Sequence, residues 1–251
     1  MNTGRRKLIT TGLAAAAGAT GLGAAVKLAG KYDLLAPDSS GIYGPGEALT
    51  YATQRLLTRH SMAREFRRDQ ISKVPFVNGP LPKDPALQAA QAEGFANWKI
   101  EVKGLVTHPM TLSLADLKRY PSASQITHLA CEEGWSYIAE WTGVPLHHIL
   151  NAAGVRSQAK YIAYHSIQKD WWDTIDMEDA LHPQTILSYG LNGGDLPVGN
   201  GGPLRLRLPR QLGYKSVKYI TGITAIDDVN KYTKSLVPAP PESGYAWYAG
   251  I

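Results

Sequence analysis

The segment Gln125-Ile126-Thr127-His128-Leu129-Ala130-Cys131-Glu132-Glu133-Gly134-Trp135-Ser136-Tyr137 alternates and then breaks. Ile126, His128 and Ala130 alternate with Thr127, Leu129 and Cys131, so the spacing predicts a β-strand that stops before Gly134. The thiol then sits at a strand end beside a polar turn, where scaffolds commonly present binding groups. It is the only cysteine among 251 residues, so it forms no intramolecular disulfide. Three readings stay open for it: a small buried hydrophobe, a free thiol or a ligand. A nucleophilic Cys-His pair has no local support. His128, three positions back, falls on the opposite strand face, while His108, His147, His148, His165 and His182 could approach only through the fold. The adjacent His147 and His148 lie on an expected helix, diverge by about 100° and cannot readily share one ion.

Working outward, Trp98–Gly104 alternates and predicts a strand. Lys160–His165 and Thr185–Tyr189 predict two more, the latter ending in Asn192-Gly193-Gly194. A helix is expected over 47–59, with Leu49, Ala52, Leu56 and Leu57 on its apolar side. The charged run Arg64–Asp69 reads as a solvated face, and Ile71–Pro85 as extended and proline-broken. Short helices are expected over Pro85–Glu93, from Ser113 as N-cap with Asp116 at the third helical position, over Pro145–Ala153 with Gly154 as terminator, and over 176–181. Strands, short helices and long loops without repeats make the fold class α+β.

The formal net charge is +5, but Arg5, Arg6, Lys7 and Lys27 lie in an N-terminal stretch of 30 residues that holds no acid. The remainder carries 22 basic against 21 acidic residues, a net of +1. A nucleic-acid-binding body would keep its positive excess, so nucleic acid is excluded as the partner. Residues 1–30, with the Arg5-Arg6 pair before a weakly apolar Ala/Gly-rich run, have the layout of a twin-arginine export signal. The expected organisation is therefore a leader over 1–30, a linker over 31–46 and a single domain over 47–251, placed in the periplasm. The leader is either cleaved or kept as a membrane tether. That export route carries proteins already folded, which raises the expectation of an inserted cofactor.

Residues 192–220 are the second informative stretch. The loop Asn192–Pro203 is dense in Gly and Pro and can turn several N–H groups toward one anion. Leu204-Arg205-Leu206-Arg207-Leu208 sets leucines against arginines, and Gly213-Tyr214-Lys215-Ser216-Val217-Lys218 follows. The inventory suits a phosphate or a polar heterocycle. An edge strand with a basic face reads equally well in isolation, but no Asp or Glu between 196 and 226 neutralises the cluster.

These segments, with Trp141-Thr142-Gly143-Val144-Pro145-Leu146 and Asn200-Gly201-Gly202-Pro203-Leu204-Arg205, resemble in order and spacing the sulfite-oxidase-fold molybdopterin-dependent oxidoreductases. The likeness is to the single-domain exported branch that contains periplasmic methionine-sulfoxide reductases. It implies a sulfite-oxidase-type fold and a molybdenum–molybdopterin cofactor whose metal takes the Cys131 thiolate at the catalytic centre. It further implies that Asn200 and Arg205 hold the pyranopterin and that Ser216, Val217 and Lys218 meet its phosphate end. Ser166 stands where the family often has a Thr against the cofactor. Phe76-Val77-Asn78 resembles a Phe-Val-Arg-Asn-His segment without its Arg and His, which leaves Asn78 as a contact. A soft thiolate suits such a metal, and oxygen-atom transfer belongs to the cofactor.

Two departures bear on the reaction. Too few residues follow position 225 for the immunoglobulin-like dimerisation domain of sulfite oxidases, so none is expected. Glu132 and Glu133 stand where those enzymes have an Ala-Gly-Asn-Arg-type run. As carboxylates facing the metal they would repel sulfite and favour a neutral S- or N-oxide, small or protein-bound; as rim residues they would be solvated. The resemblance thus implies oxide reduction with electrons from a separate redox partner, a haem membrane subunit or a cytochrome. Sulfite-type oxidation with a cytochrome acceptor is the alternative. A cofactor-free exported anion-binding protein is the alternative of another class.

Overall fold

The computed structural model describes residues 24, 27, 29, 34–37, 44–169, 171–229 and 245–251. The expected leader and linker fall largely outside these. The chain divides into two compact units, residues 1–59 and 60–251. Among the described residues, no helix is long and apolar enough to cross a membrane.

In the first unit, helix α1 spans Gly44–Leu57. Its expected apolar side is corrected by the structure: Leu49, Leu56 and Leu57 are 69%, 66% and 77% exposed, while Tyr51 and Arg55 are buried. The latter lie four residues apart on one face, with the Arg55 guanidinium 5.1 Å from the Tyr51 ring centre. The covered stripe of α1 is therefore the one that carries Tyr51 and Arg55, not the leucines.

The second unit is built on two sheets, one mixed and one antiparallel. Strands β1 (Lys99–Gly104), β2 (Met110–Ser113), β5 (Tyr161–Ser166), β6 (Trp172–Asp176) and β10 (Ile220–Ile226) form one sheet in the order β2-β1-β10-β5-β6. Only β1 and β10 are parallel in it. Strands β3 (Ala123–Ala130), β4 (Ser136–Pro145), β7 (Ile186–Leu191) and β8 (Gly194–Asp195) form the other in that order, with β9 (Arg205–Arg207) also paired to β7. The architecture is α+β.

Between the sheets lies the main core. Ile100, Ile162 and Ile223 meet Val144, Leu187 and Leu206, and Leu146, Ile149 and Leu150 of helix α4 (Leu146–Ala153) close one side. Each such side chain contributes about 2 kcal/mol by leaving water. Gly154 ends α4 at φ 65°, a left-handed cap that costs a glycine nothing. Helix α2 (Pro85–Ala92) starts from Asp84, whose carboxylate accepts from Ala86 and Leu87 N–H groups. Helix α3 (Leu114–Lys118) starts from the expected capping box of Ser113 and Asp116. The expected acidic helix is α5 (Met177–Ala180), with Asp176 as its N-cap.

Residues 64–69 are exposed for the most part but are not merely solvated. Phe66 N–H donates to Ile126 O at 2.9 Å, extending the edge of β3, and Arg68 makes a two-pronged pair with Glu140 at 2.6 and 2.8 Å. This anchors the extended run that follows and lays Phe76 on Trp135, ring centres 4.9 Å apart.

Candidate active site

Strand β3 ends at Ala130, one residue before the thiol. The turn after it is tight: Cys131 N–H donates to Trp135 O at 3.0 Å, and Gly134 N–H to Cys131 O at 3.1 Å. The turn aims Cys131 into a cleft of about 310 Å³, a size that suits a small-molecule site. Asn78, Cys131, Arg205, Ser216, Val217 and Lys218 all line it. Residues far apart in sequence thus converge because β9 and the strand-like run 216–218 lie antiparallel. Leu206 N–H donates to Val217 O at 3.0 Å, and Arg205 bridges to Lys218.

Asn200 and Ser166 stand behind the lining. Asn200 is buried, and its amide donates to Phe76 O at 3.2 Å, holding the backbone that leads to Asn78. The Ser166 hydroxyl accepts from Gln168 N–H at 3.1 Å, and Gln168 in turn reaches the cleft.

Of the five cations in the basic stretch, Arg210 is buried and paired with Asp179 at 3.4 Å, and the other four divide. Arg205 donates to Ser216 O at 2.8 Å and Asn200 O at 3.0 Å, and lies 5.6 Å from the Trp141 ring centre. Arg207 is fully buried away from the lining, over the same ring at 5.3 Å, with His128 O accepting at 2.6 Å. Lys215 is 1% exposed and paired with Asp173 at 2.7 Å. No acid within 196–226 meets the cluster, as expected, but Asp173, 42 residues away, neutralises Lys215 through the fold. Lys218 remains at the cleft, donating to Gly199 O at 2.7 Å. Burial, with the Arg205 charge added, pushes Lys218 down to about 8. Gly201 lets these side chains pass: it holds φ 107°, and a Cβ there would lie 2.9 Å from Lys218 Cγ.

At the thiol, burial pushes Cys131 up to about 12, helped by the Glu132 and Glu133 carboxylates and opposed by the Glu133 backbone N–H. The thiol donates to Glu132 Oε2 at 3.1 Å, and the Trp135 indole donates to Glu133 Oε2 at 2.7 Å. Both carboxylates line the cleft.

Three features of the lining are absent from the sequence reading: Trp135 as a wall, the Gln168–Trp171 turn, and Tyr245. Tyr245 arrives on the C-terminal segment, which docks through Leu212 N–H to Ala249 O at 2.8 Å and the Trp247 indole to Thr174 Oγ1 at 2.7 Å. The doubled tryptophan in a turn and the Tyr245-Ala246-Trp247-Tyr248 run were the available signals.

Among the described residues no group of three or more His, Cys, Asp or Glu side chains could hold a metal. A metal here would take one protein sulfur and need its other ligands from an organic carrier. The lining fits such a carrier: it brings Cys131 into one cleft with a guanidinium and an ammonium that donate to backbone carbonyls and have no carboxylate partner among the described residues.

Comparison with known proteins agrees with this. Residues 86–233 match the oxidoreductase molybdopterin binding domain. The catalytic subunit of the protein-methionine-sulfoxide reductase MsrP of Campylobacter jejuni is 30% identical over 71% of this chain and 64% of its own. The corresponding MsrP subunit of Xanthomonas campestris is 37% identical over 66% of this chain and 56% of its own. The match thus spans less than two thirds of these relatives' length. The crystal structure of the sulfane dehydrogenase SoxCD from Paracoccus pantotrophus superposes with a TM-score of 0.51 at 23% identity, covering 53% of this chain and 39% of that one. That likeness carries the fold, which is of the sulfite-oxidase type.

Proposed function

Because the chain belongs to the molybdopterin-binding oxidoreductase family, whose cofactor is molybdopterin-bound molybdenum, we propose that it is an exported reductase of sulfoxides, with methionine sulfoxide in proteins as the substrate class. One observation carries the reading: the chain's single thiol and the Arg205–Ser216–Lys218 cluster line one and the same cleft. The names of the two MsrP relatives support the substrate class. The Arg5-Arg6 leader supports periplasmic placement.

When bound, the molybdenum–dithiolene group would supply two-electron oxygen-atom-transfer chemistry. Cys131 would give it a thiolate. Arg205, Ser216 and Lys218 would hold its anionic end, with Val217 packed beside them and Asn78 on the facing wall. Asn200 fixes the 76–78 backbone, and Ser166 the Gln168 turn. Trp135, Trp171 and Tyr214 wall the cleft and exclude water, which strengthens the electrostatics inside. Reduction breaks the S–O bond, consumes two electrons and two protons, and releases the thioether and water. The electrons come from a separate partner, which we propose to be a haem-bearing membrane subunit.

The test is expression in a host that makes the cofactor, followed by metal analysis and two assays on one preparation. Sulfoxide reduction by a reduced viologen dye, with about one molybdenum per chain, is expected. Sulfite oxidation without sulfoxide reduction would overturn the direction, and absence of molybdenum would overturn the cofactor role.

A further inference from the structure

The cleft carries charge of both signs: Arg205 and Lys218 line it, and so do Glu132 and Glu133, on the turn that presents Cys131. The two carboxylates are held differently. Glu133 is tied to the wall by the Trp135 indole at 2.7 Å. Glu132 is an exposed residue whose carboxylate is met by the Cys131 thiol at 3.1 Å and by the Tyr245 phenol. Neither has a cationic partner among the described residues. An anionic carrier bound in the cleft would neutralise Arg205 and Lys218, and two uncompensated negative charges would then face whatever approaches the thiol.

We infer that this acidic pair selects substrates by charge, with Glu132 as the discriminating residue: the cleft favours a sulfoxide set between cationic residues of a polypeptide and rejects the same sulfoxide set between acidic ones. The inference rests on reading the cleft as the site of sulfoxide reduction. Glu132 is exposed, lines the cleft beside the thiol and is contacted by a segment remote in sequence, so a peptide entering the cleft passes its charge. A surface potential of this kind steers charged ligands through solvent and is worth about a factor of ten at low salt.

The experiment compares two blocked peptides, methionine sulfoxide flanked by lysines or by glutamates, on the molybdenum-loaded enzyme. In low salt kcat/KM should favour the lysine peptide by at least about tenfold. The ratio should fall toward one in about 0.5 M salt, where screening is nearly complete. Glu132→Gln should lower the low-salt ratio about tenfold while molybdenum content stays at the wild-type level. Methionine-sulfone versions of both peptides give a second readout, their dissociation constants from isothermal titration calorimetry, which requires no turnover. A wild-type ratio near one, or a ratio unmoved in both Glu132→Gln and Glu132→Ala, overturns the inference. If neither sulfoxide peptide is reduced, the functional reading fails instead, and sulfone binding and its salt dependence still decide the question of charge.

Discussion

Lys215→Met should destabilise the fold by about 3–5 kcal/mol, the usual cost of stripping one partner from a buried ion pair. The ammonium is 1% exposed, donating to Asp173 Oδ1 at 2.7 Å and Thr174 O at 2.9 Å. Asp173 is buried too, and burial raises its carboxyl above the ordinary range even with Lys215 beside it. Without the ammonium it keeps one local donor, the Thr174 N–H. It must then stay charged without its partner or take a proton, at about 1.4 kcal/mol for each pK unit. A loss of this size lowers the midpoint of a domain of this length by roughly 10 °C, read by circular dichroism on the cofactor-free protein. A carboxyl raised in the folded state contributes stability that is present below its unfolded pKa and lost as pH rises through the folded one. The deficit of Lys215→Met should therefore shrink as the pH is lowered. Adding Asp173→Asn should restore part of the loss at neutral pH. A midpoint drop below about 3 °C, or a double variant no more stable than the single one, would refute the assignment of Lys215 to the fold rather than to the cleft.

Cys131→Ser should leave the melting midpoint of the cofactor-free protein nearly unchanged while metal analysis finds molybdenum lost, because the thiol packs at a strand end and not in the core. Gly201→Ala should cost about 1–3 kcal/mol in chemical denaturation, since a Cβ at φ 107° is strained and would press on Lys218. Sulfate, whose charge is constant, should bind the cofactor-free cleft about tenfold more weakly at about pH 9 than at about pH 7 by calorimetry. Lys218 loses its proton near 8 in that range, and Lys218→Met should flatten the profile. The same depressed value means that the unfolded chain holds a proton the folded one has lost, so Lys218 itself makes stability rise with pH above about 8.

What the sequence disclosed follows from the range of the interactions. β3 was legible because its burial alternates strictly, Gln125, Thr127 and Leu129 in against Ile126 and His128 half-out. The Ser113–Asp116 capping box and the Gly154 stop were legible because they close within a few residues. β4 was not, because buried residues occupy both its faces from Ala139 to Trp141 and again from Gly143 to Pro145, and no period survives. β6 is buried at every position while carrying Asp173 and Asp176, a composition that reads as turn or helix. The leucines of α1 follow a helical stripe in sequence and still lie outside, because Tyr51 and Arg55 take the covered face. Tyr245 reaches the cleft across an interval longer than any local pattern spans.

The basic stretch shows why a count of charges overstates a site. Five cations crowd residues 205–218, yet the fold retires Lys215 and Arg210 into ion pairs with Asp173 and Asp179, and Arg207 over Trp141, against Thr127 and His128 O. Arg205 and Lys218 are left with carbonyl partners, and burial lowers the pKa of both. A desolvated cation without a carboxylate is a cost held in the native state, and a bound anion would relieve it. Binding should therefore stabilise the fold in proportion to occupancy. The thiol works in the opposite sense, since burial and the neighbouring carboxylates disfavour a bare thiolate. The two cations lack a negative charge and the thiol lacks a positive one, so the ligand that settles both is anionic in one part and bears a metal in another.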